Sequence, residues 1–159
     1  MKLNLNTVRK LLKSQFKRRP ILGCIRYEPE RIVFTNSYAL VKLNVKSPIT
    51  EPINLDMESL RIVDDNYPKV TVDRIIENAF KDRINARDIN VEVDLEHKVS
   101  HYKINDLYFE KGLVDDTFKT VGLDLSTVNR EYLFTNKSCL VYDDNKEVFL
   151  LILRINKND

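Results

Sequence analysis

The stretch VFTNSYALV, Val33 to Val41, returns later in the chain as LFTNKSCLV, Leu133 to Val141. Phe, Thr and Asn recur in order, then Leu and Val, and what precedes each copy also recurs. Around the first copy, ILGCIRY, the turn EPE and RIVFTNSYALVKLNV are rich in β-branched and aromatic residues. Asn36-Ser37 supplies turn chemistry inside the last run, so the segment reads as a three-stranded meander. Ahead of it, Leu5, Val8, Leu12 and Phe16 recur at helical spacing, which predicts an amphipathic helix from Asn6 to Lys17, capped by Asn6 and ended before Pro20. Around the second copy the order repeats. YKIN reads as a short strand with Asn105 as cap, and DLYFEKGLVDDTF as a helix. VGLDLS, EYLFTN, CLVYD and EVFLLILRI read as strands, with a turn at DDNK. Pairing Asn4 with Asn105, Phe34 with Phe134 and Leu40 with Leu140 predicts a single α+β domain built from two duplicated βαβββ halves, about 1–46 and 102–156. The long insertion between them, about 47–101, holds three candidates. LDMESLRI reads as a short helix capped by Asp56, VDRIIENAF as a helix with Val72, Ile75, Ile76, Ala79 and Phe80 on one face, and INVEVDL as a strand.

Composition narrows the function classes. The chain has 159 residues, 43% hydrophobic and 31% charged, which suits one soluble domain with a proper core. A net charge of +2 places any nucleic-acid role in the distribution of charge and not in its total. No apolar run approaches the roughly 20 residues that span a bilayer, and MKLNLNTVRKLL lacks a signal-peptide block, so a cytoplasmic protein without membrane contact is predicted. Three glycines leave no phosphate-cradling loop or dinucleotide fingerprint. Cys24 and Cys139 sit inside apolar runs and read as reduced, buried thiols. His97 and His101 are four apart without a third ligand and read as solvated histidines; the Asp and Glu pairs read as charged turns. No catalytic set, cofactor motif or metal site emerges, which predicts a non-enzyme.

Several motifs resemble the bacterial β sliding clamp, the ring that tethers replicative polymerase to DNA. The family's T-D-G-H-R-L-A hairpin is similar to TNSYALV, Thr35 to Val41. Its interdomain F-P-D-Y-R-R-V-L-P is similar to YPKVTVDRII, Tyr67 to Ile76, with two extra residues. Its closing M-P-M-R-L is similar to LILRI, Leu151 to Ile155, and its F-N-V-S-Y-V-L-D-V-L helix entry resembles INDLYFEKGL from Ile104. Asn36, Ala39, Ile152 and Glu77 depart from the Asp, Arg and two Pro of those patterns. The resemblance implies a compact, single-domain relative of a three-domain subunit, of the kind expected in a phage or mobile element.

That resemblance implies two working surfaces. Helices would face duplex DNA, whose phosphates are attracted by Lys and Arg without base reading. Arg9, Lys13 and Lys17 at i, i+4 and i+8, with Lys10 beside them and Arg18 and Arg19 following, are the expected DNA-facing set. Asp106, Glu110, Asp115 and Asp116 on the second helix oppose such a role. A hydrophobic pocket for client peptides of polymerases would use Thr35, Ser37, Tyr38, Leu40, Pro68, Arg74, Ile75, Leu151 and Leu153. Since one domain cannot encircle a duplex, homo-oligomers are implied for a ring. The other function class is a decoy that competes with or modifies a host clamp without touching DNA.

Overall fold

The computed structural model describes residues 3–63, 69–86, 91–95 and 100–156. A nine-stranded antiparallel sheet dominates it. The central strands are β1 (Cys24–Tyr27), β2 (Ile32–Thr35), β3 (Ala39–Leu43), β10 (Leu133–Thr135), β11 (Cys139–Asp143) and β12 (Val148–Leu153). The short β4 (Ile53–Asp56), β5 (Ile62–Val63) and β6 (Ile84–Asn85) extend its two ends, giving the order β5-β4-β1-β2-β3-β12-β11-β10-β6. A second sheet holds β7 (Glu92–Asp94), β8 (His101–Ile104) and β9 (Leu107–Glu110).

The helices are α1 (Leu5–Leu12), α2 (Lys69–Ala79) and α3 (Lys111–Thr120). On one face of the large sheet, Val8, Leu11 and Leu12 of α1 and Val114 and Phe118 of α3 pack on Phe34, Val41, Tyr142 and Leu150. On the other, Val72 and Ala79 of α2 pack on Val33, Leu40, Phe134, Phe149 and Leu151. The fold is α+β, with three α-helices among the described residues packed on a large antiparallel sheet, as the strand and helix patterning predicts.

Outward from the β3–β12 pair, the sheet runs β2, β1 on one side and β11, β10 on the other. α1 and α3 are antiparallel, because Asn4 N–H donates to Thr120 O at 2.8 Å while Lys10 meets Asp116 at 3.2 Å. Thus α1-β1-β2-β3 and α3-β10-β11-β12 are counterparts, with β9 leading into α3. The two FTN copies are not. The first spans the β2–β3 turn and the second the β10–β11 turn, one strand out of step. Phe34 packs beneath α1 and α3, whereas Phe134 packs beneath α2.

What recurs is local turn chemistry. Asn36 Oδ1 accepts from Tyr38 N and Ala39 N at 2.9 and 2.8 Å; Asn136 Oδ1 accepts from Ser138 N and Cys139 N at 2.8 and 3.0 Å. Each amide group then donates to a helix carbonyl on its own face, Asn36 to Leu11 O at 3.3 Å and Asn136 to Ala79 O at 3.1 Å.

Several local expectations are corrected. Asn4, not Asn6, caps α1, accepting from Thr7 N at 3.1 Å. The α-helix stops at Leu12 and tightens into a 3-10 turn, Lys13–Gln15; Leu5 lies exposed while Thr7, Leu11 and Gln15 join the buried side. Asn105 and Asp106 have φ of 54° and 65° and form the tight turn of the β8–β9 hairpin, the left-handed pair that such hairpins favour. The second helix therefore begins only at Lys111. VGLDLS is loop, not strand. LDMESLRI is the β4–β5 hairpin, where Asp56 Oδ1 accepts from Glu58 N at 2.9 Å without starting a helix. His101 is buried in β8; His97 lies outside the described residues. Cys24 and Cys139 are buried and free, as expected. No helix among the described residues is long and apolar enough to cross a membrane.

Candidate functional site

The expected DNA-facing residues divide into two kinds. Arg9 is anchored: its Nε donates to Met57 O at 3.0 Å and its guanidinium lies 5.8 Å from the Phe16 ring centroid, docking the β4–β5 hairpin onto α1. Lys10 pairs with Asp116 across the two helices. Lys13, on the 3-10 turn, and Lys17, just after it, are exposed, as are Arg18 and Arg19. None of these four makes an ion pair among the described residues. The i, i+4, i+8 stripe is thus broken by the end of the α-helix, and the exposed positive charge collects at its carboxy-terminal end.

The opposing carboxylates are less exposed to a ligand than their number suggests. Asp106 belongs to the β8–β9 turn and Glu110 to the end of β9, so neither is on α3. Asp116 faces Lys10. Asp115 accepts from Lys111 Nζ and from the Tyr102 hydroxyl, each at 2.6 Å. Burial and then that hydrogen bond raise the Tyr102 hydroxyl above its ordinary pKa. The Asp115 partnership raises Lys111. The acids of α3 are largely occupied by cations of this chain.

The expected peptide-pocket residues also separate. Leu40 and Leu151 are cross-strand partners on β3 and β12, and both are buried beneath α2 with Val72. Thr35 Oγ1 donates to Ala39 O at 2.6 Å and accepts from Ser37 N at 3.1 Å, closing the hairpin; Ser37 takes a φ of 77°. Tyr38 and Leu153 are 52% and 37% exposed, and Leu153 N–H donates to Tyr38 O at 2.8 Å. Arg74 and Ile75 lie on the exposed side of α2. Pro68 lies outside the described residues. Ser37, Tyr38 and Leu153 therefore come together at one rim, while Leu40 and Leu151 are core.

In fold, the chain is similar to the Helicobacter pylori beta clamp solved in complex with 3,4-difluorobenzamide, with a TM-score of 0.53 and 10% identity over 96% of this chain and 62% of that one. The fold is clamp-like. A DNA polymerase III subunit beta from Pseudomonas aeruginosa gives a TM-score of 0.50 and 9% identity over 96% and 61% of the two chains. The clamp-like chain spans about three-fifths of the length of these structures. No protein-family model and no curated protein matches its sequence.

One feature of this clamp-like domain escapes a linear reading. Glu28 Oε2 accepts from Arg26 Nε at 3.0 Å and from Arg31 Nε at 3.2 Å, and Arg31 Nη1 reaches Asp73 of α2 at 2.7 Å. This bonded chain ties α2 to the β1–β2 turn, and nothing in the separation of Arg31 from Asp73 signals it. Burial, aided by Asp56, pushes the Cys24 thiol up to about 11, and burial raises Cys139, so both favour the protonated form. Lys111, Asp115 and Lys119 follow one another along α3, and Asp115 ties that flank to Tyr102 of β8.

Proposed function

We propose that this chain is a non-catalytic, clamp-like protein of DNA replication that contacts duplex DNA through the basic end of α1. The observation that carries the reading is the exposed cluster of Lys13, Lys17, Arg18 and Arg19 beside an α3 whose acids are already paired. Such a cluster attracts phosphates and reads no bases, as sliding requires. The likeness to a beta clamp and a polymerase III beta subunit supports the replication setting. Encirclement needs several copies, and the short edge strands β5 and β6 at opposite ends of the sheet are where copies would join. Client peptides would use the rim of Ser37, Tyr38 and Leu153, because Leu40 and Leu151 are covered.

The decoy reading has its own support. Arg9 and Lys10, two of the six expected DNA-facing residues, are engaged in internal contacts. Fluorescence anisotropy on plain duplex across a salt series separates the two. The DNA reading expects binding that weakens with salt, and a Lys13→Glu/Lys17→Glu double variant whose salt slope falls by about 2, near 0.9 per phosphate contact. No binding by the unaltered chain at low salt removes that reading and leaves the decoy.

A further inference from the structure

We propose that the cleft between α3 and the β7–β8–β9 sheet is a binding site for a small organic anion, with a flat apolar body and one phosphate or carboxylate head. The cleft encloses about 610 Å³, within the roughly 300–1,000 Å³ usual for small-molecule sites. Its apolar wall is Val91, just ahead of β7, Val93 of β7, Tyr102 of β8, and Leu123 from the loop after α3. One side of that wall is fixed in place: the Tyr102 hydroxyl is bonded to Asp115, and Lys111 Nζ sits 5.5 Å from the ring centroid.

Charge selects the ligand's sign. Lys111, Lys119 and Arg130 line the cleft against two carboxylates, Asp115 and Asp124. Both oxygens of Asp115 are taken, Oδ1 by Tyr102 and Oδ2 by Lys111, each at 2.6 Å. Asp124 Oδ1 is turned into its own loop, accepting from Ser126 N at 2.8 Å and Ser126 Oγ at 2.6 Å. Lys119, two turns along α3 from Lys111, is exposed and makes no ion pair among the described residues. A head group bound at Lys119 meets a cation that makes no ion pair among the described residues, with an apolar surface beside it and the Asp124 carboxylate lining the same cleft.

The cleft lies on the flank of α3 carrying Lys111, Asp115 and Lys119, away from the Asp116–Lys10 contact with α1. It shares no residue with the basic end of α1, so it stands independently of the proposed duplex contact.

The test uses the whole chain and 8-anilinonaphthalene-1-sulfonate, a flat apolar body with one anionic head, followed by fluorescence and by backbone amide NMR shifts. Saturable one-to-one binding is expected, with shifts gathered at Val93, Tyr102, Lys119 and Leu123. Lys119→Gln and Lys119→Glu should each weaken it about tenfold or more, the loss of one charge-assisted contact. Lys13→Glu should leave it unchanged, and the uncharged N-phenyl-1-naphthylamine should bind far more weakly. Displacement by thymidine monophosphate assigns a phosphate ligand and displacement by indole-3-acetate a carboxylate. Displacement by neither, shifts scattered over exposed apolar residues such as Leu60 and Ile62, or equal affinity in the Lys119 variants would each overturn the proposal.

Discussion

Asn36 and Asn136 show one side chain doing the same job in two settings. Each carbonyl oxygen holds two turn N–H groups, and each amide nitrogen reaches a helix carbonyl on its own face. Asn136→Ala leaves those groups without a protein partner and should cost about 1–3 kcal/mol, lowering Tm by about 2–4 °C per kcal/mol in a chain of this size. Thermal melts followed by circular dichroism check it, and a melt unchanged within a degree would rule out the bracing role. Asp144 gives a pH-dependent counterpart. Burial opposes its charge, but backbone N–H groups of Val148, Lys146 and Glu147, each 2.9 Å away, win and hold its pKa below the ordinary value. A depressed carboxylate contributes stability above its unfolded pKa, and that contribution is lost as pH falls through the lower folded value. Asp144→Ala should therefore be less stable than the unaltered chain at pH 7, and the gap should narrow at a pH below the ordinary carboxylate range. Urea titrations at both pH values measure it; a gap independent of pH would refute the assignment.

At the scale of elements, α2 decides what the expected peptide pocket can be. Its Val72 and Ala79 seal Leu40 and Leu151, and Phe80 stacks 5.3 Å from Phe134 between ring centroids. Leu151→Ala should then behave as a core truncation, costing about 2–5 kcal/mol, whereas Leu153→Ala at the rim should cost under about 1 kcal/mol. Urea midpoints distinguish the pair, and similar small losses at both would mean that α2 does not seal this face. The same logic selects Leu153→Glu for a search for client peptides, since a charge at Leu151 would disturb the fold itself. The meander around Thr35–Asn36 and the helix at Val72–Ala79 were legible because short-range patterns specify them. The start of α3 was not. LYFE can follow either period, and only pairing of β9 with β8 through the Asn105–Asp106 turn makes it a strand.

At the scale of the whole molecule, two counterpart units meet at the β3–β12 pair, and the nine-stranded sheet ends in β5 and β6. Ile62 and Ile84 on those edge strands are 66% and 54% exposed. If copies join there, sedimentation velocity should show a concentration-dependent oligomer that Ile62→Lys or Ile84→Lys reduces to monomer, because a charge at a sheet edge opposes strand addition. A monomer at every concentration, with and without duplex, would dispose of a ring. The basic end of α1 belongs to this scale too: Lys13 and Lys17 were readable as cations, but the engagement of Arg9 with Met57 O depends on a hairpin some fifty residues away.

Sequence alone was enough for what neighbours along the chain decide: the strands of the β1–β2–β3 meander, the Thr-Asn turns, the helix ahead of them and the burial of both thiols. Tertiary structure alone decided which way each motif faces. Strand side chains alternate between two faces, so an identical Phe-Thr-Asn sends Phe34 toward α1 and α3 and Phe134 toward α2 according to the strand's place in the sheet. That place is set by pairing between distant segments, which no local pattern encodes.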